Sequence, residues 1–491
     1  DDYLGPYLVA DLKSGRLTDE EAYRYIHSLW TMIENRRTTV NGRIIVGGKG
    51  RKHPKEADVF LHIAMKVAKN CRYVEPQFTL RFDKETSEEI WDEALDALGA
   101  GATYPTLYND DVNVPAVMYG MRVDEKTAEQ YVPFGCTEFV IQGQSTGTPN
   151  ICINLLKLLT IYMNDGIDPI DGKRKSGPVS LKKLEEYQTF EEFYDGYKAL
   201  LDYYLDLSVK AQYHSYEVMN QHVSFLFTSL LTDDCIARGK ALLDGGVRYL
   251  GGTNETYGNI NTSDSLWVIR DLVFNQKKYT LRQLNDAMLA NFNGYEALRK
   301  DCLNCDKYGN DLETADTMAN DLYEFVAKGV RDRGIAIGMQ YFLIVISNNQ
   351  LNTEWGNRTA ASPDGRLSCM YMNPANNPQG GANKSGPTAM LNSLAKFDAK
   401  YHGGSVQNIK FSPSMFNENR AVIKSLFKTY FAKGGCHLMV TVVDKGVLED
   451  AVEHPENYPD LIVRVSGFSA VFVDLSPNIQ QELLSRVLYD E

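Results

Sequence analysis

A thiol and a carboxylate stand two positions apart in Gly135-Cys136-Thr137-Glu138. In an extended loop Cys136 and Glu138 share a face, and a carboxylate so placed can remove a proton from a bound hydroxyl as a general base. Read alone, the same run also describes a buried free thiol beside a surface carboxylate. A second run, Arg464-Val465-Ser466-Gly467-Phe468-Ser469-Ala470, sets a glycine inside a β-rich segment, where a tight bend is the plain explanation. Other matches fail on their context. Gly143-Gln144-Ser145-Thr146-Gly147 fits the G-x-S-x-G pattern of a nucleophile elbow, ahead of a helix that Thr148 would cap with Pro149 at its first position. That arrangement draws oxyanion donors from a loop before the serine, whereas the His-Gly-Gly run, His402 to Gly404, follows it. Cys302-x-x-Cys305 is a single pair without the second pair or the His pair that a zinc site needs. Gly47-Gly48-Lys49-Gly50 follows a strand, but His53 breaks the dinucleotide fingerprint, and the P-loop pattern fails as well.

Taken together, Gly135 to Glu138 and Arg464 to Ala470 resemble the paired signature of the glycyl radical enzymes, the family of formate acetyltransferase and the glycerol, diol and hydroxyproline dehydratases. Further segments resemble that family in its own order: Gly245 to Tyr249, Gly258-Asn259 with Asp264 to Leu266, Tyr308 to Asp311, Thr359 to Arg366, Gly386 to Ala389 with Ser393, and Pro459 to Arg464. The resemblance covers essentially the whole chain. It implies a radical held at Gly467, a thiyl relay at Cys136 and a base at Glu138, with Arg464, Ser466 and Phe468 supporting the radical loop. A radical at a glycine α-carbon spreads into the flanking amides, and the missing side chain lets that centre flatten among other backbones. Cys136 would work as a neutral thiol and thiyl rather than as a thiolate, so a low thiol pKa is not required of it.

The implied activity is radical C–X bond cleavage, foremost dehydration of a small polar hydroxylated substrate. Decarboxylation and C–N or C–S cleavage are the alternatives within the family, and a truncated remnant or partner subunit is the non-enzymatic one. Thiolysis of the formate acetyltransferase kind needs two adjacent cysteines, but positions 135 and 137 are Gly and Thr. Phe468 stands where Tyr is commoner, and Met439 to Val442 departs from the usual stretch, which suggests a diverged clade. The resemblance further implies no resident metal or organic cofactor, because the protein radical carries the chemistry. It implies a separate S-adenosylmethionine and iron-sulfur activase as partner, and a homodimer.

These residues need rigid elements to hold them. Thr18 to Glu21 reads as a capping box opening a helix with Ala22, Ile26, Leu29 and Ile33 on one face. Helical spacing recurs at about 55–69, 86–98, 149–164, 181–206, 235–243, 280–299, 313–331 and 418–433. Short β-rich runs lie between them at Arg43 to Val46, Phe78 to Arg81, Phe139 to Gln142, His437 to Val443 and Ile462 to Val465. This alternation gives an α/β class, and the resemblance sharpens it to a ten-stranded α/β barrel of two half-barrels. Residues 1–440 would form the catalytic barrel portion and 441–491 the C-terminal glycyl radical domain. Glycine and asparagine collect in loops at Gly245 to Asn261, Gly356 to Gly365 and Asn373 to Gly386, where chemistry is often placed.

With 43% apolar and 23% charged residues, the 491-residue chain has an ordinary globular composition. A net charge of −13 opposes binding to nucleic acid or to anionic lipid. No apolar run approaches the roughly 20 residues of a membrane span, and the eight cysteines are too scattered for a secreted disulfide scaffold, so a cytoplasmic protein with reduced thiols is expected. Family members carry several hundred residues ahead of the segment resembling Tyr7 to Arg37. The barrel is therefore expected to be incomplete on its N-terminal side, with further sequence or a partner chain covering an otherwise open edge.

Overall fold

The computed structural model describes residues 1–37, 42–147, 150–346 and 350–490. Its strands are β1 (Arg43–Gly47), β2 (Gln77–Phe82), β3 (Thr106–Asn109), β4 (Tyr131–Phe134), β5 (Glu138–Ile141), β6 (Ile151–Asn154), β7 (Gly251–Tyr257), β8 (Tyr341–Ile346), β9 (His402–Ser405), β10 (Asn408–Phe411), β11 (His437–Val442), β12 (Ile462–Arg464) and β13 (Ser469–Val471). Helices separate most of them, so the α/β class holds. The chain divides into two compact units that interleave in sequence. The first comprises Asp1–Met118, Val123–Cys136 and Val406–Glu491, and the second Tyr119–Arg122 and Thr137–Ser405.

The first unit is built on a five-stranded sheet of order β1-β2-β3-β11-β10. All its pairings are parallel except β3 with β11, where Leu107 faces Leu438. The expected capping box forms: Thr18 Oγ1 accepts the Glu21 amide and Glu21 Oε2 accepts the Thr18 amide. The helix it opens, Asp19–Glu34, buries Ala22, Ile26 and Trp30, with Leu29 and Ile33 only half-buried. Trp30 packs edge-on against Phe78 of β2, and Phe82 sits between Trp91 and Phe431. At the end of β2, the buried Arg81 grips Asp110 through two hydrogen bonds of 3.0 and 2.7 Å and lies over the Tyr131 ring. Such a bidentate pair fixes geometry as well as charge.

The second unit holds an all-parallel sheet of order β6-β7-β8-β9. Its strands are mostly buried, as parallel sheets covered on both faces must be. Here the structure departs from the sequence pattern. The expected helix over 149–164 instead starts at Leu155, capped by the Asn154 side chain, after residues 151–154 have joined the sheet as β6; the expected Thr148 cap and Pro149 lie outside the described residues. Part of the expected loop Gly245 to Asn261 is β7. Its Gly251 and Gly252 leave room for the Tyr341 and Phe342 rings of β8, which a Cβ would meet at 2.2 and 2.7 Å. The pattern over 280–299 is two helices, Leu281–Leu289 and Glu296–Asn304, because Asn291, Phe292 and Gly294 take left-handed conformations between them. The loops at 356–386 are tightly knitted. Arg366 donates to the carbonyls of Gly356, Thr359, Ala360, Met370 and Tyr371, while Asn261 and Asn373 exchange side-chain-to-backbone hydrogen bonds.

Exposed large apolar side chains include Tyr3, Tyr7, Tyr25 and Met32 of the first unit and Leu226, Phe227, Leu230 and Leu231 of the second. No helix among the described residues is long and apolar enough to cross a membrane.

His402, at the start of β9, is buried between the rings of Phe139 and Phe397, and neither ring nitrogen makes a well-formed hydrogen bond among the described residues. Burial lowers its pKa from 6.5 to about 4, and the nearby Gly404 backbone opposes this only weakly. Between those pH values the unfolded chain binds a proton that the folded one refuses, so stability is lost as the pH falls. Urea unfolding should show a loss of roughly 3 kcal/mol across that window, and His402→Leu should remove this component.

Candidate active site

The strands β12 and β13 form a short antiparallel hairpin in the first unit, with Arg464 facing Ser469 and Val463 facing Ala470. The Val465 amide donates to the Phe468 carbonyl across the turn, and Gly467 adopts φ +76°. That conformation favours glycine for local reasons alone. A stronger reason comes from outside the hairpin: a Cβ on Gly467 would lie 2.8 Å from each of Cys136 Cα, Cβ and Sγ. A C–C bond is about 1.5 Å, so the Gly467 and Cys136 α-carbons are within about 4.3 Å of each other. Both residues are buried.

Each partner is held from behind. Arg464 is buried over the Tyr104 ring and donates to Ser469 Oγ and to Met439 Sδ, while Ser469 Oγ shares a 2.8 Å hydrogen bond with Thr103. Phe468 and the flanking Val463 and Val465 pack with Val443, Leu448, Phe472, Ile479 and Leu483. Ser466 is fully buried, and its hydroxyl has no hydrogen-bond partner among the described residues. Cys136 sits in a turn whose Gly135 carbonyl accepts from Arg43 at 2.7 Å. Thr137 follows with φ +101°, a strained value for a β-branched residue. In the second unit, Gly404 lies so close to Thr137 that a Cβ there would be 2.2 Å from its carbonyl oxygen.

Glu138, two residues along the chain from Cys136, begins β5 in the second unit and is buried. Its Oε1 accepts from Asn150 Nδ2 at 3.1 Å, and the same nitrogen donates to Glu255 Oε1 at 2.7 Å. Tyr257 donates to the other Glu255 oxygen at 2.5 Å. Cys152 faces Glu255 in the register of β6 and β7. Burial, then Glu255, then Glu138 push its thiol pKa up to about 12, so it remains protonated. The structure thus brings Cys136 and Gly467 together and surrounds Glu138 with partners that the sequence did not single out. Asn150, Glu255 and Tyr257 left one trace in the sequence, the alternation Thr253, Glu255, Tyr257 at every second position.

The rejected motifs find structural uses. Ser145 Oγ accepts the Ile141 amide at 2.8 Å and closes a turn. All eight cysteines are free. A cavity of about 590 Å³ in the first unit, lined by Trp30, Cys71, Glu75, Tyr104 and Tyr458 among others, includes neither Cys136 nor Gly467. His62, Glu89 and Glu93 are the described residues whose ligand atoms cluster closely enough for a metal ion, and none of them is a candidate site residue.

Residues 1–351 match the pyruvate formate lyase-like family and residues 372–473 the glycine radical family. The chain is 28% identical to trans-4-hydroxy-L-proline dehydratase of Clostridioides difficile, covering 99% of this chain and 63% of that protein. It is 27% identical to (2S)-3-sulfopropanediol dehydratase of Klebsiella oxytoca, covering 99% of this chain and 61% of that one. A solved structure concerning 1,2-propanediol dehydration in Roseburia inulinivorans superposes with a TM-score of 0.91 at 29% identity, covering 99% of this chain and 64% of that chain. The chain therefore spans just under two thirds of the length of these relatives.

Gly404→Ala should push Thr137 out of its turn. A loss of about 2 kcal/mol or more is expected, measured as a lower urea midpoint with an unchanged slope.

Proposed function

The chain belongs to the pyruvate formate lyase-like family of glycyl radical enzymes, and from that premise we propose that it is a radical C–X lyase, a dehydratase acting on a small polar hydroxylated substrate. The observation that carries this reading is the contact between Gly467 and Cys136, where the α-carbon and the thiol are close enough to exchange a hydrogen atom without an intermediary. Gly467 holds the resting radical. It takes the hydrogen atom of the Cys136 thiol, leaving a thiyl radical, and the thiyl removes a hydrogen atom from a hydroxyl-bearing carbon of the substrate. Glu138 then accepts the proton of that hydroxyl while the neighbouring C–O bond breaks, and the departing hydroxide leaves as water on taking up a proton. The resulting carbonyl radical regains a hydrogen atom from Cys136, and the thiyl so formed recovers one from Gly467. Atoms and electrons balance to loss of one water.

Arg464, Ser466 and Phe468 support the radical loop: the first ties it to Tyr104 and Ser469, and the last anchors it in apolar packing. The radical is installed by a separate S-adenosylmethionine and iron-sulfur activase, and the enzyme works without a resident metal or organic cofactor. Residues 441–491 act as the C-terminal radical domain. The assembly is a cytoplasmic homodimer, joined by further N-terminal sequence or a partner chain, and it has no role with nucleic acid or membranes.

Anaerobic activation should yield an electron paramagnetic resonance doublet that is absent in Gly467→Ala and present in Cys136→Ser, with turnover lost in both. Turnover surviving in either variant would refute the mechanism. Air should cleave the activated chain at the radical carbon, releasing residues 468–491, and mass spectrometry should find that fragment only where the doublet formed.

A further inference from the structure

The second unit gathers more acid beside Glu138 than the proposed reaction requires. Thr253, Glu255 and Tyr257 occupy alternate positions of β7, so their side chains leave the same face. Asn150 and Cys152 stand at alternate positions of the neighbouring segment, with Cys152 opposite Glu255. The Asn150 amide is committed at both ends: Thr253 donates to its oxygen, and its nitrogen donates to Glu255 and Glu138. Tyr257 pins the remaining Glu255 oxygen. Two carboxylates, 3% and 5% exposed, are thereby fixed against one amide group.

Burial strengthens the field of both carboxylates. A ligand offering hydroxyl or ammonium donors meets acceptors there, whereas a ligand bearing its own negative charge meets like charge from two sides, which is the usual means of excluding a competitor. We infer that Glu255, held against Glu138 through Asn150, is a specificity-determining residue that selects alcohols carrying hydroxyl or ammonium donors and excludes those carrying a sulfonate or carboxylate. This assignment rests on Glu138 serving as the base proposed above. Glu255 acts through its charge and takes no part in bond breaking.

Three diols that differ only in the group on the third carbon provide the test with the anaerobically activated protein: propane-1,2-diol, 3-aminopropane-1,2-diol and 2,3-dihydroxypropane-1-sulfonate. The neutral diol, the amino diol or both should be turned over, with kcat/KM about 100-fold or more above that of the sulfonate. In Glu255→Gln, which keeps the shape of the side chain, the ratio of sulfonate to neutral or amino diol should rise about 10-fold or more with the radical doublet unchanged. A merely structural Glu255 would lower both rates together and leave the ratio where it was, which would overturn the inference. Preference of the unaltered protein for the sulfonate, or turnover of none of the three, would overturn it equally. Absence of the doublet, or full activity in Glu138→Gln, would instead remove the underlying reading, and the inference with it.

Discussion

A hydrogen atom can pass between Gly467 and Cys136 only if nothing stands between them, and the 2.8 Å from a notional Cβ to Cys136 leaves no room for even one carbon. The surrounding structure answers to that approach. The hairpin that carries Gly467 has three-residue strands, too little for stability by itself. Its apolar flank decides the matter: Val463, Val465, Phe468 and Phe472 are buried together, and each such side chain contributes about 1.5–3 kcal/mol by leaving water. That exceeds what the few hairpin hydrogen bonds supply at about 1 kcal/mol each. Arg464 adds register rather than mass, joining Tyr104, Ser469 and Met439 around the base of the turn.

Around Glu138 the problem is charge. Buried carboxylates are costly unless hydrogen-bonded, and the second unit meets this cost with Asn150, which donates to both, and with Tyr257, on a strand whose alternation presents Thr253, Glu255 and Tyr257 together. The glycines that open β7 serve the same end at one remove. By admitting the Tyr341 and Phe342 rings they keep β7 and β8 in contact, so the acidic face is carried on a stiff sheet.

Cys136, Glu138 and Gly467 were legible in the sequence because each belongs to a short run whose residue types are distinctive, a thiol, a carboxylate and the absence of a side chain. The capping box at Thr18 and Glu21 was legible for the same reason, since it is a local exchange of hydrogen bonds. Asn150 and Glu255 were not, because their meaning depends on a register between β6 and β7 that joins residues about a hundred positions apart in sequence. Strand β7 itself was hidden by glycines that suggest a loop until the rings opposite them are seen. Leu29 and Ile33 looked like the core face of their helix, yet Trp30 takes that place, because the orientation of a helix is set by the partner it packs on.

The interleaving of the two units bears on how the chain is made. Apart from the short segment Tyr119–Arg122, the second unit is one continuous stretch, Thr137–Ser405, and its parallel sheet can be completed while synthesis is still under way. The first unit has no such independence. Its sheet places β3 beside β11, Leu107 against Leu438, so β3 must wait for about 330 further residues to leave the ribosome. At about 5–20 residues per second that delay is tens of seconds, during which β1 to β3 expose an unpaired edge. The edge of β3 therefore has to be shielded over an interval in which the whole sheet of the second unit is made.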